Sequence, residues 1–138
     1  MRTELLVLSC VFGLSGGACD PVWRVETVAR TRASRGLNPA CIAAGLGERG
    51  RRVEHRAIDE PQRHLFEIAV GRHRMVIAWS ADKPDTVTLA VQEMGGYGGT
   101  DTVAEIRAAR TELLVDLQTS CGPFDPKTQE ICYRARCD

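Results

Sequence analysis

The residues in this sequence with the most evident chemistry are its cysteines, which can form disulfides, bind metal ions or act as nucleophiles. The chain of 138 residues has six of them, at Cys10, Cys19, Cys41, Cys121, Cys132 and Cys137. A redox site would use a Cys-x-x-Cys pair, and none is present, because the two nearest cysteines have four residues between them. The spacing therefore favours structural disulfides over a redox site.

The first residues of the chain have the pattern of an export signal. Met1 and Arg2 supply positive charge, residues 5–14 are apolar, and residues 15–18 are Ser-Gly-Gly-Ala, which are small. An apolar run this short does not span a bilayer, which takes about 20 residues in a helix. We therefore expect residues 1–18 to be a cleaved export signal and residues 19–138 to form a single mature domain.

The segment at the expected cleavage point, Leu-Ser-Gly-Gly-Ala-Cys at positions 14–19, resembles the lipobox of bacterial lipoproteins. This resemblance implies that Cys19 is acylated, becomes the first residue of the mature chain and anchors it to a membrane of the cell envelope, facing the periplasm. An ordinary signal peptidase could also cut after Ala18 and release a soluble periplasmic protein. Either route makes Cys19 the first mature residue.

The number of cysteines supports lipidation. Cys10 leaves with the signal, so five remain, and an odd number leaves one thiol unpaired in an oxidising compartment. A lipid on Cys19 removes one and leaves Cys41, Cys121, Cys132 and Cys137 for two disulfides, with three possible connectivities. Three of these four lie in the last 18 residues, so every full pairing joins Cys41 to that region. Export also argues against a zinc thiolate site, and we assign no metal or cofactor.

Length, composition and charge limit the class of protein. A chain of 138 residues is typical of one domain, and 43% hydrophobic with 26% charged residues is typical of a globular one. The formal net charge is zero, with 18 basic and 18 acidic side chains. Because binding to the phosphate backbone needs excess positive charge, we do not expect nucleic acid as a partner.

The first part of the mature chain is expected to be helical. Val22, Val25, Val28 and Ala29 are spaced as on one helix face, which predicts a helix within 21–36, although Trp23, Val25 and Thr27 would also suit a strand. A second, short helix is predicted from Asn38 as N-cap and Pro39 as its first residue to about residue 46.

From residue 51 to 94 the hydrophobic period changes to two, which predicts strands at 51–58, 64–70, 72–79 and 86–94. A two-residue hairpin loop at Gly71 and Arg72 would place the apolar residues of the last three strands on one face. These residues are Phe66, Ile68, Val70, Met75, Ile77, Trp79, Val87, Leu89 and Val91. The opposite face, which includes Thr86, Thr88, Ala90 and Gln92, is expected to be largely polar.

A long helix is predicted at 102–120. Thr102 and Glu105 have the spacing of a capping box at its start. Its apolar stripe, which would cover the apolar face of the sheet, consists of Val103, Ile106, Leu113, Leu114 and Leu117. The predicted fold is α+β, an antiparallel sheet of about four strands with one long helix packed on one face and disulfides as staples.

No group of residues predicts catalysis. His55, His64 and His73 are interpreted as separate surface histidines, since His64 and His73 would lie at opposite ends of a strand pair. The glycine-rich segment 95–99 has neither the spacing of a dinucleotide-binding loop nor the lysine of a P-loop. No Gly-x-Ser-x-Gly motif is present, so we assign no catalytic residue.

Tyr97, between the glycines of 95–99, is the candidate for contact with a partner, because exposed loop tips often carry function. The sequence therefore predicts a membrane-anchored envelope lipoprotein with a non-catalytic binding or structural role. Its partner would be an envelope protein or a cell-wall component, bound through that loop or the uncovered sheet face. The alternative is a small periplasmic enzyme or ligand carrier whose polar groups meet only in the folded chain.

Overall fold

The computed structural model describes residues 22–32, 36–58, 62–94, 96 and 98–137, and these form an α+β domain of six strands and two helices. The sequence predicted about four strands and one long helix. The elements are, in chain order, β1 (Val22–Arg30), α1 (Pro39–Gly47), β2 (Glu54–Ile58), β3 (Arg63–Val70), β4 (His73–Ser80), β5 (Lys83–Met94), α2 (Thr100–Cys121) and β6 (Gln129–Tyr133).

The first element is a strand, so the prediction of a helix in this region was wrong. Trp23, Val25, Thr27 and Ala29 of β1 are buried, whereas the residues between them are half-buried. Two of these four are β-branched and one is aromatic, and such residues pack well in strands. The valine spacing resembles a helix face because β1 is an interior strand, paired with β5 on one side and β6 on the other, with apolar residues on both faces.

All neighbouring strands of the sheet are antiparallel, in the order β2-β3-β4-β5-β1-β6. The predicted hairpin is confirmed: Val70 pairs with His73, and Gly71 has a positive φ of 58°, as the first residue of a type II′ turn requires. Ile77 pairs with Phe66 on one side and with Leu89 on the other. The predicted apolar face of these three strands therefore exists, and we call it the core face.

Both helices bury their apolar residues in the same cluster as the core face. The start of α1 is as predicted, because the Asn38 side chain accepts a hydrogen bond of 2.8 Å from the backbone N–H of Cys41 and Pro39 is the first helical residue. The predicted capping box of α2 was wrong. Helix α2 begins two residues before Thr102 and is capped by the backbone of Gly99 without a side-chain hydrogen bond.

The two helices approach each other closely at Gly45 of α1. A Cβ atom at Gly45 would lie 3.0 Å from Cδ2 of Leu117 and 3.1 Å from the carbonyl oxygen of Asp116, both on α2. A disulfide joins Cys41 to Cys121 on the same two helices, and the second disulfide joins Cys132 to Cys137. The expected link from Cys41 to the C-terminal region is thus made at the end of α2.

Buried Asp116 holds the segment after α1 against α2. Its Oδ2 accepts hydrogen bonds of 2.9 Å from Arg49 and 2.6 Å from Arg51. These guanidinium groups, the hydrogen bond from Arg49 first, lower the pKa of the Asp116 carboxyl. The chain is therefore tied to the helices at Arg51, directly before it enters the sheet.

Strand β6 (Gln129–Tyr133) was not predicted from the sequence. Its attachment to α2 is polar, since Glu130 accepts hydrogen bonds of 2.6 Å from both Arg107 and Arg110. Arg110 also donates to the hydroxyl of buried Thr27 on β1 at 3.0 Å. Because ion pairs replace apolar residues on this edge strand, its hydrophobic pattern is weak.

Candidate functional site

The face of the sheet opposite the core face, which we call the outer face, is covered by neither of the two described helices. It was expected to be largely polar, but a row of aligned residues across four strands, Leu65, Ala78, Thr88 and Val28, is small or apolar. The next row contains Val76 and Ala90 between Glu67 and Glu26. The outer face is therefore an apolar strip bordered by charged side chains.

Large apolar side chains are also exposed on this face. Ile58, Met94, Ile131 and Tyr133 are 43%, 66%, 46% and 59% exposed, and by strand register all four point to the outer face. The remaining large hydrophobic residue with comparable exposure in the described part of the chain is Val115 on α2. Three of the four lie on β5 and β6, which flank β1, whereas Ile58 lies on β2 at the opposite edge of the sheet. Exposed apolar residues that are grouped on one face mark an interaction surface more often than scattered ones do.

Charged side chains beside this strip are paired. Arg24 donates from Nε to Glu26 at 2.7 Å and from Nη1 to Gln92 at 2.9 Å. Glu67 accepts hydrogen bonds from Arg74 at 3.2 Å and from Arg56 at 3.4 Å. These pairs hold the charged side chains along the sheet. In the strip between them, Leu65 and Ala90 are buried and the other residues are half-buried.

A half-open cavity of about 420 Å³, which we call the hairpin cleft, lies beside the β3–β4 turn. It forms where β2 begins opposite Glu67 while β3 continues to Val70. Its lining residues are Arg52, Glu54, Glu67, Ile68, Ala69, Gly71, Arg72, His73 and Arg74. No spacing in the sequence indicated this cavity, because its arginines come together only through the unequal lengths of two strands.

Two of the predicted site residues, the lipidation candidate Cys19 and the contact candidate Tyr97, lie outside the described residues. The four predicted disulfide residues are all in disulfides. Glu130, Cys132 and Cys137 offer ligand atoms within 4.8 Å of one another. Because the two sulfur atoms are bonded to each other, this group provides no thiolate for a metal ion.

The interpretation of the histidines as separate surface residues was wrong. Nε2 of His55 lies 2.8 Å from Nδ1 of His64, and the His55 ring stacks on Phe66 with centroids 4.4 Å apart. The strand register explains this, because His55 pairs with Phe66, the residue two positions after His64 on the same face. The pair was not predicted, because it depends on the register between β2 and β3, which the sequence does not give.

The buried Nε2 of His64 has no hydrogen-bond partner among the described residues. A buried unsatisfied polar atom costs about 1–3 kcal/mol whether it is a donor or an acceptor, so this nitrogen does not select a tautomer. Either Nδ1 of His64 or Nε2 of His55 carries the proton of the hydrogen bond between them. The pair links β2 to β3.

The third histidine is part of another contact on the core face. Nδ1 of His73 is hydrogen-bonded to a carboxylate oxygen of Glu93, and its ring packs edge-on against Trp23 with centroids 5.7 Å apart. The side chain of His73 is only 13% exposed. Although it lines the hairpin cleft, its ring nitrogen is already engaged with Glu93. His73 therefore forms part of the wall of the cleft, and its Nδ1 is not available as a base.

Neither described helix has the length and apolarity needed to cross a membrane. No family model matches the chain, and no curated protein is significantly similar to it.

Proposed function

We propose that this chain is an envelope lipoprotein, held to a membrane through lipid on Cys19, that binds a protein partner with its outer face. One observation carries the binding role: four of the five exposed large hydrophobic residues lie on the outer face. Both helices join the core on the opposite side of the sheet. The role is non-catalytic, because the outer face offers apolar and paired charged groups.

The residues of this surface are suited to a protein more than to a sugar. Tyr133 and Ile131 stand two positions apart on edge strand β6, with Arg24 beside Tyr133 in register. Aromatic and arginine side chains are enriched at the energetically dominant centres of protein interfaces. The expected contact is therefore centred on Tyr133 and Ile131.

A ligand carrier is the second candidate function, and the hairpin cleft favours it. Its volume of about 420 Å³ falls within the range of about 300–1,000 Å³ typical of small-molecule sites. The cleft and Tyr133 are separated across the sheet by four strand spacings, which is roughly 19 Å. The two functions can therefore be tested with separate variants.

The anchor is tested by the intact mass of the chain purified from the envelope of the cells that produce it. We expect a mass that begins at Cys19 and includes three acyl chains, with four thiols alkylated after reduction. A mass that begins at Cys19 without lipid would show a soluble periplasmic protein. Retention of residues 1–18 would contradict both forms of the proposal.

The binding role is tested by crosslinking in intact cells with a photoreactive residue in place of Tyr133 or Ile131. The matched control carries it in place of Val115, which is also exposed and apolar but lies on α2. We expect one discrete protein adduct from the outer-face positions and none from position 115. Equal adducts at all positions, or none, would contradict the proposal.

A further inference from the structure

The hairpin cleft exists because two neighbouring strands differ in length. Strand β3 continues past its last partner in β2, where Glu67 pairs with Glu54. The chain before Glu54 turns away, since Arg51 is hydrogen-bonded to Asp116 at 2.6 Å and to the carbonyl of Leu46 at 3.1 Å. The last residues of β3 are therefore left as an uncovered sheet edge.

This edge presents unpaired backbone groups. The residues that flank a two-residue hairpin loop exchange backbone hydrogen bonds, so Val70 and every second residue before it point toward β4. Ala69 consequently points its N–H and C=O away from β4, to the side where β2 has already ended. An extended peptide could pair with this edge, as in strand addition.

The lining of the cleft contains three arginines and two glutamates, and the carboxylate of Glu105 also lies against Gly71. Arg52, Arg72 and Arg74 line the cleft together with Glu54 and Glu67. Glu67 is already neutralised by Arg56 and Arg74, which pair with it. Within the described part of the chain, Arg52 and Arg72 form no ion pair, unlike Arg24, Arg49 and Arg51. Two guanidinium groups with free donors thus stand beside the uncovered backbone of Ala69.

We propose that the hairpin cleft binds the carboxyl-terminal end of an extended peptide. The peptide backbone pairs with Ala69, and its terminal carboxylate accepts hydrogen bonds from Arg52 and Arg72. A planar guanidinium matches a carboxylate in a bidentate arrangement, which gives the site its preference for this group. Ala69, which is exposed, supplies the apolar surface beside the peptide backbone. This site does not depend on the outer-face function, and Tyr133→Ala should leave it intact.

The test is a fluorescence anisotropy titration of the purified full chain with a labelled short peptide of alternating valine and threonine. Its matched probe is the same peptide with an amidated carboxyl terminus. We expect the free acid to bind at least about tenfold more tightly than the amide, because each lost charge-assisted hydrogen bond weakens binding by that order. Inorganic phosphate is the competitor that separates a peptide site from a general anion site.

The test variants are Arg52→Gln and Arg72→Gln. The control is Arg32→Gln, which removes the same positive charge outside the cleft. Arg32 is exposed and lies outside the cleft, and its contact with the other described residues is a backbone hydrogen bond to Pro123. Each cleft variant should weaken the free acid by about tenfold and the amide little, whereas Arg32→Gln should change neither. Ala69→Pro removes the backbone donor without breaking the β3–β4 ladder and should weaken both peptides.

Three outcomes would overturn the proposal. The amide and the free acid could bind equally, Arg32→Gln could weaken binding as much as Arg52→Gln does, or phosphate could bind the cleft while neither peptide does. If circular dichroism shows that the Ala69→Pro variant does not fold, the arginine variants still test whether the cleft binds the terminal carboxylate. Binding by Tyr133→Ala at the wild-type level would show that the cleft works independently of the outer face.

Discussion

Glu130 of β6 and Arg110 of α2 form an ion pair of 2.6 Å, and the same guanidinium group donates to Thr27 on β1 at 3.0 Å. A second arginine, Arg107, donates to Glu130 and to the carbonyl of Cys137. One carboxylate on an edge strand thus links the C-terminal residues to the long helix. This arrangement, with the disulfide near it, fixes the edge of the sheet that carries Tyr133.

Glu130→Gln should therefore lower stability more than the loss of an ordinary surface charge. We expect a loss of about 2 kcal/mol in the free energy of unfolding, because the guanidinium groups of Arg107 and Arg110, 38% and 18% exposed, lose their charged partner. The control is Glu112→Gln, whose side chain is 50% exposed and which should change stability by less than about 1 kcal/mol. Urea unfolding measures both, and equal losses would contradict the role of Glu130.

Stability should fall at acid pH through Asp116 and Glu130. Arginine hydrogen bonds lower the pKa of both carboxyls in the folded chain. A carboxyl with a lowered pKa stabilises the fold above its unfolded-state pKa, about 3.9 for Asp and 4.3 for Glu, and loses this contribution as pH falls through the folded value. The pair should therefore add no pH dependence between pH 5 and 7.

This prediction is checked by comparing the wild type with the double variant Asp116→Asn, Glu130→Gln. The difference in their free energies of unfolding should be constant above about pH 5 and shrink below about pH 4. A difference that grows as the pH falls would contradict the predicted sign of these interactions.

The two disulfides should differ in their effect on stability. By the chain-entropy relation, the Cys41–Cys121 bond, with a separation of 80 residues, contributes about 4.5 kcal/mol. The Cys132–Cys137 bond, with a separation of 5 residues, contributes about 2 kcal/mol. Paired Cys→Ala variants and urea unfolding should reproduce this order, and a larger loss at the short loop would contradict it.

Two glycines in α1 give opposite predictions for the same substitution. Gly45→Ala should destabilise the domain by about 1–2 kcal/mol, because the added Cβ meets the backbone of α2 at 3.1 Å. Gly47→Ala should stabilise it by about 0.5–1 kcal/mol, since nothing lies within 4 Å and alanine favours the helix. Thermal unfolding of both variants tests the close helix contact directly.

Local sequence patterns were sufficient to predict the secondary structure in the middle of the chain. The alternation between Phe66 and Val91, the glycine at 71 and the Asn38–Pro39 pair predicted three strands, their shared apolar face, a hairpin and a helix start, and the structure has all of them. These features depend on residues close in sequence, where side-chain period and backbone preference act directly.

Contacts between residues distant in sequence decided the remaining features of the fold. The valines of β1 fit either period, and pairing with β5 and β6 on both sides selected the strand. Strand β6 depends on Arg107 and Arg110 from a helix that precedes it by several residues. The disulfide pairing, the His55–His64 contact and the hairpin cleft likewise require distant residues to meet. The sequence by itself determined the sheet's alternating core, and export to the cell envelope remains its prediction. Only the tertiary structure decided which faces and edges of the sheet remain open, because these depend on contacts between distant residues.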